Sequence, residues 1–366
     1  MSKFNFKINR GIVLNNEFLV FNFFVSHYIF FLNYFFKNYP RETILKIYEI
    51  SCLSDVFILC ESSKKKSKNF NEILLNFIED LNHLGFSELE IFFISDKKFK
   101  IVSKKPHLSK SYKQIFGNDE DQHLELIYLV VLKNFFKCYF NKRVKANSIV
   151  SPNLIEFDFC VLDEDFNYEF DGNYPEFETG NISKKLFNIL LNDKVNYNEG
   201  NLLFCGMRFV NLPYYTLFNI LNFSNYDKKF CDFFINFGYL TGISFVNIYL
   251  NYDNEIGDEI YEAILNTFDI SGFGRIELIG GCKKHIRLEN SFLKNIKKYY
   301  SEEVIDLFFR FVANCYRGIY DKSYNVSSDI KYLENFSFEL VEIPYVELCE
   351  EDELIVNGLS YKSLLL

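Results

Sequence analysis

The chain has 366 residues, of which 49% are hydrophobic and 24% charged, with a formal net charge of −9. This is ordinary globular material, long enough for about two domains. The acidic balance argues against a general phosphate-binding role, and so against nucleic acid, which calls for a basic face.

The first apolar segment, Phe18 to Phe36, has 19 residues without Asp, Glu, Lys or Arg, close to the ~20 that a membrane helix needs. Asn22, Ser26 and Asn33 would share one stripe of a helix over about 18–37, the pattern of a helix half-buried on a soluble core. Membrane insertion is therefore not expected. A second helix carries Ser51 and Asp55. A third is amphipathic, with Phe70, Ile73, Leu74, Phe77, Ile78 and Leu81 at three- and four-residue spacing. Gly85 follows it where a left-handed cap is needed. A hairpin, Leu89–Ile94 and Phe99–Val102, turns at Ser95-Asp96. A longer helix over Leu124–Phe140 and a strand ending near Phe157-Asp158-Phe159 complete the half.

The same order then recurs. Leu53–Leu59 meets Leu240–Val246 at an offset of 187 residues, and Gly85–Ile91 meets Gly272–Leu278 at the same offset. At an offset of 180, Asn134–Lys142 meets Asn314–Lys322. A period this long marks duplicated domains, since solenoid repeats run roughly 20–50 residues. The expected architecture is α+β, helices on one face of a small antiparallel sheet, in two tandem copies that form an intramolecular pseudo-dimer. The expected bounds are 1–162 for the first domain, 163–198 for an acidic linker, 199–344 for the second domain and 345–366 for a C-terminal tail.

Chemistry-bearing patterns are sparse. Asp163-x-Asp165-x-Asn167 invites a calcium loop, but Tyr168 and Tyr174 stand where that loop needs glycine and glutamate. Nine Cys include no Cys-x-x-Cys pair, so no metal site and no cofactor is expected. With no secretory leader, the expected compartment is a reducing cytoplasm. Gly272-x-Gly274 joins helix to strand, the reverse of a phosphate cradle. His285 alternates with Ile286 and Leu288 and faces away from them. Arg310, between Phe309 and Phe311, either snorkels or offers a charge to a bound acid or a partner. No catalytic constellation emerges, and the enzyme question stays open, leaning to no.

In the second half, Gly238-Tyr239-Leu240-Thr241-Gly242 resembles the Leu-Gly-x-x-x-Gly helix of the vinyl-4-reductase, or predicted hydrocarbon-binding, domain. Gly272-Phe273-Gly274, the Asn290-Ser291 strand end, Phe311–Gly318 and Phe336-Ser337-Phe338 resemble its later motifs in the same order. That family shares its fold with the small core subunits of the TRAPP tethering complex. The resemblance implies a sensor or carrier for a hydrophobic small molecule held mainly by the second domain, with Tyr299, Arg310, Tyr316 and His285 as its expected lining. The alternative it implies is a TRAPP-like scaffold for protein partners, without a pocket. Two departures stand out. Ser327–Phe338 holds no Cys, so the family's zinc site is not expected. Ser51, Asp55 and Cys138 also replace Gly238, Gly242 and Gly318 in the first half, which should pack it more loosely or differently.

Overall fold

A computed structural model describes residues 6–9, 12–15, 18–85, 88–105, 107–116, 124–151, 154–171, 195–198, 201–204, 207–250, 261–262, 264–265, 268, 271–289, 293 and 296–343. The chain is mixed α+β with antiparallel sheets. It divides into two compact units, one built mainly from residues 14–220 and one mainly from 221–366.

Three strands, β1 (Phe6–Asn9), β2 (Ile12–Asn15) and β3 (Phe18–Phe24), lead into α1 (Val25–Asn38). The helix expected over 18–37 therefore begins only at Val25, and Asn22 is not on its stripe. A run that is apolar throughout carries no periodicity to separate strand from helix. What decides is pairing: β3 runs antiparallel to β10 (Met207–Pro213), with Phe21 opposite Leu212, Asn22 opposite Asn211 and Phe23 opposite Val210. No helix among the described residues is long and apolar enough to cross a membrane. Strands β8 (Val195–Asn198) and β9 (Asn201–Phe204) extend the ladder from β10.

In the first unit the second helix is broken. α2 (Arg41–Ser51) stops at Cys52 and α3 (Leu53–Lys66) restarts after it. The Asn134 amide donates to the Glu49 carbonyl at 2.5 Å and to Cys52 Sγ at 3.3 Å, a side chain inserted into the helical ladder where a kink arises. α4 (Phe70–His83) is capped by Asn69, whose side chain accepts the Asn71 N–H, and Gly85 follows at φ +83°. The hairpin β4 (Glu88–Ser95) and β5 (Lys98–Lys105) is joined by α5 (His107–Phe116), which the sequence reading missed, and by α6 (Leu126–Phe140). β6 (Lys142–Ser151) and β7 (Leu154–Asp165) give a four-stranded sheet in the order β4-β5-β7-β6. Asp163, Glu164 and Asp165 end β7 and pair with Lys97, Arg143 and Lys142 at 2.6–3.0 Å, so Asp163 and Asp165, the first two acids of the would-be calcium loop, are held in ion pairs. The unit closes with α7 (Tyr214–Ser224), of which Tyr214–Ile220 belongs to it.

The second unit holds one unbroken helix, α8 (Lys228–Leu250), then β11 (Arg275–Leu278), β12 (His285–Glu289), α9 (Glu302–Tyr324), β13 (Ser327–Leu333) and β14 (Ser337–Ile343). Its sheet runs β11-β12-β14-β13, the strand order of the first unit's sheet. Each unit thus adds one more C-terminal strand than expected, β6 and β13. The expected amphipathic helix near 256–268 falls largely outside the described residues, as do 172–194 of the linker and the 345–366 tail.

Candidate functional site

Glycine governs how the second unit packs. A Cβ on Gly238 would run into the Phe311 carbonyl, one on Gly242 into the Cys315 carbonyl, and one on Gly318 into the Tyr239 carbonyl. α8 and α9 therefore meet backbone to backbone, and the interior between helix and sheet is filled by rings such as Phe311 and Tyr316, both 0% exposed.

The corresponding positions of the first unit carry side chains. Asp55, at the Gly242 position, is 1% exposed. Its Oδ2 accepts from the Thr216 N–H and the Thr216 hydroxyl, each at 2.7 Å. Thr216 lies in the first turn of α7, whose amides have no partner within the helix, so the carboxylate caps that helix from outside it. The Ser51 carbonyl, at the Gly238 position, accepts from Asn219 at 2.9 Å. Beside Asp55 the first unit holds a small, partly open apolar pocket of about 40 Å³. Tyr48, Cys52 and Val56 wall it from α2–α3, Ile127 and Tyr128 from α6, and Leu212 from β10. This exceeds the ~10–15 Å³ that one water occupies.

The titratable groups around it are held neutral. Burial raises the hydroxyls of Tyr28 and Tyr48, which also interact with each other. Burial pushes the Cys52 thiol up to about 12 despite the Asn134 hydrogen bond. A thiol so far from ionising is a packing group rather than a nucleophile. The lining is apolar, and the Asp55 side chain is hydrogen-bonded to the first turn of α7.

One neighbour makes the unit acid-sensitive. His27, on α1 and 2% exposed, is pushed down by burial from 6.5 to about 4. Between those values the unfolded chain binds the proton and the folded one does not, so stability falls as pH falls through this window. The loss should approach about 3 kcal/mol near pH 4. Glu125, raised by burial, works in the opposite sense, losing stability as pH rises above 4.5. The His27 contribution is therefore read by comparison: urea midpoints at pH 7 and pH 4.5 should lie closer together in His27→Gln than in the parent.

The expected ligand residues occupy four separate settings. Tyr316 is buried, its hydroxyl donating to the Lys283 carbonyl at 2.7 Å and lying 2.6 Å from the Tyr261 hydroxyl. Arg310 pairs with Asp306 at 2.6 Å and lies over the Tyr332 ring at 4.8 Å. His285 contacts Glu339 at 3.1 Å on the exposed sheet face. Tyr299 precedes α9 with the Lys298 ammonium 4.5 Å from its ring. None of the four lines the small pocket, or the open cleft of about 1060 Å³ between α9 and its sheet, which Leu288, Phe309, Tyr332 and Phe336 line together with Glu277, Arg287 and Lys297. Among the described residues no group of three His, Cys, Asp or Glu is placed to hold a metal.

The residues that do converge, Tyr48, Cys52, Asp55 and Tyr128, gave one signal in the sequence: the loss of glycine at positions 51 and 55. No family model, curated protein or solved structure matches the chain.

Proposed function

We propose that the chain is a non-enzymatic binding protein, a tandem duplication of one α+β domain, whose first half seats a small apolar molecule. The single observation that carries this is the small apolar pocket of about 40 Å³ beside Asp55, which stands at the position of the packing glycine Gly242. Burial of apolar surface would drive the binding, and Asp55 and the tyrosines would set its shape. The resemblance to the vinyl-4-reductase domain agrees with a sensor or carrier, with the site moved from the half that first invited it. The duplication is supported by the matching strand orders of the two sheets.

A very small apolar probe such as pressurised xenon should raise the thermal midpoint of the intact protein. Val56→Ile, which adds one methyl group to the cavity wall, should stabilise the apo protein by about 0.8 kcal/mol and abolish the xenon shift. An unchanged xenon shift in that variant would refute the cavity assignment. Native mass spectrometry of the purified protein adds the natural ligand's mass.

A second proposal, a scaffold for protein partners, is supported by the open cleft of the second unit. It predicts a clean apo mass with a bound protein.

A further inference from the structure

Phe166-Asn167-Tyr168-Glu169-Phe170-Asp171 alternates aromatic residues with amide or acidic ones. In an extended chain such alternation puts the rings on one edge and the polar groups on the other. The segment follows β7 with no regular secondary structure; its three rings are half-buried, and Asn167, Glu169 and Asp171 are exposed.

The ring edge lies on helices of the first unit. The Tyr168 hydroxyl is 3.0 Å from Ser54 Oγ on α3, and its ring stands edge-on to Phe57 with centroids 5.4 Å apart. On α6, the Lys137 ammonium lies 5.2 Å from the centre of the Phe166 ring. On α7, Tyr215 meets Phe170 edge-on at 5.1 Å. The Tyr168 hydroxyl reaches the seam of α3 and α6, where the fields of Cys138, Asp55 and Cys52 act on it. The second unit closes the corresponding seam on its own glycines.

The backbone contributes little to this contact. The Phe166 N–H donates to the Asn141 carbonyl at 3.0 Å where the segment leaves β7. Asn167, Tyr168 and Glu169 make no backbone hydrogen bond to another described residue. A segment held by half-buried side chains opens locally without unpairing a sheet.

We propose that this face of α3, α6 and α7 is a docking site for an extended segment of a partner protein, and that Phe166–Asp171 masks it in the free chain. The partner segment carries aromatic residues at alternate positions with acids or amides between them. That chemistry is read from the segment already seated there, with rings toward the helices, Lys137 over the first ring and acids toward solvent. The site is separate from the pocket beside Asp55 and does not depend on a ligand there.

The test uses the full chain and a fluorescein-labelled peptide of the sequence Asp165–Asp171, followed by fluorescence anisotropy. The triple variant Phe166→Ala, Tyr168→Ala and Phe170→Ala unmasks the face and should bind the peptide about tenfold more tightly than the parent. An effective concentration on the order of 1 mM for the tethered segment, against a peptide Kd on the order of 100 µM, gives that ratio. A peptide of the same composition with its three aromatic residues adjacent should bind the variant about tenfold more weakly, the scale of two lost ring contacts. Tyr168→Ala alone serves if the triple variant loses its circular dichroism; its gain should be at least about threefold, the scale of one lost hydrogen bond. Equal affinity for parent and folded variant, or no saturable binding to either, overturns the site and makes the segment a fixed part of the first unit. Equal binding of the reordered peptide overturns the recognition of an alternating segment. A parent that is dimeric by light scattering, and that the peptide converts to monomer, overturns a partner protein in favour of exchange between two copies of the chain.

Discussion

Gly242→Val should destabilise the second unit by at least about 4 kcal/mol. The new Cβ meets the Cys315 carbonyl, and a backbone atom held in the middle of α9 cannot turn aside as a side chain would. The helices must separate, which uncovers Phe311 and Tyr316, both fully buried in the parent. Guanidinium unfolding followed by circular dichroism reads the loss as a lowered midpoint. Leu75→Ala, at a residue 59% exposed, is the control and should stay within about 0.5 kcal/mol. A loss at Gly242 no larger than the control's would show that the backbone contact does not exist.

The second large effect lies at the corresponding position of the first half. Asp55→Ala should cost about 3–5 kcal/mol, because the Thr216 N–H and hydroxyl both lose a charged acceptor inside the core. Asp55→Asn retains an oxygen acceptor without the charge and should cost less than half as much. Asp55→Gly, which restores the residue of the second half, should be no better than Ala, since the cap on α7 is lost and the cavity grows. Hydrogen exchange localises the effect: the first-turn amides of α7 should lose protection before the β4–β5 hairpin does. If Ala and Asn behave alike, the carboxylate charge contributes nothing to the cap.

The architecture was legible where local pattern and repeat agreed. The α4 stripe, the cap at Gly85 and the hairpins were read from spacing and turn residues alone. The recurring offsets, 187 and then 180, also suggested duplication before any strand was placed. What failed depended on distant partners. Phe18–Phe24 is apolar on both sides, so only its pairing with Met207–Pro213 makes it a strand. The break at Cys52 needs Asn134, 82 residues away. The change of glycine to Asp55 was visible in the sequence. That its carboxylate would seat on Thr216, 161 residues on, was not. The contact of Arg208 with Ser111, 97 residues away, left no trace in the sequence either.

The pairing of β3 with β10 also bears on how the protein is made. During synthesis the ribosome releases α1 to β7 well before Met207–Pro213 exists, so the early chain holds β3 without its ladder and Asp55 without a helix to cap. Closing contacts across such long stretches of chain is slow. The first unit should therefore mature only once Tyr214–Ile220 has left the ribosome tunnel, waiting on a segment well beyond β7 in the chain. A nascent chain stopped at residue 171 should be cleaved by protease far more readily than one extended to residue 224.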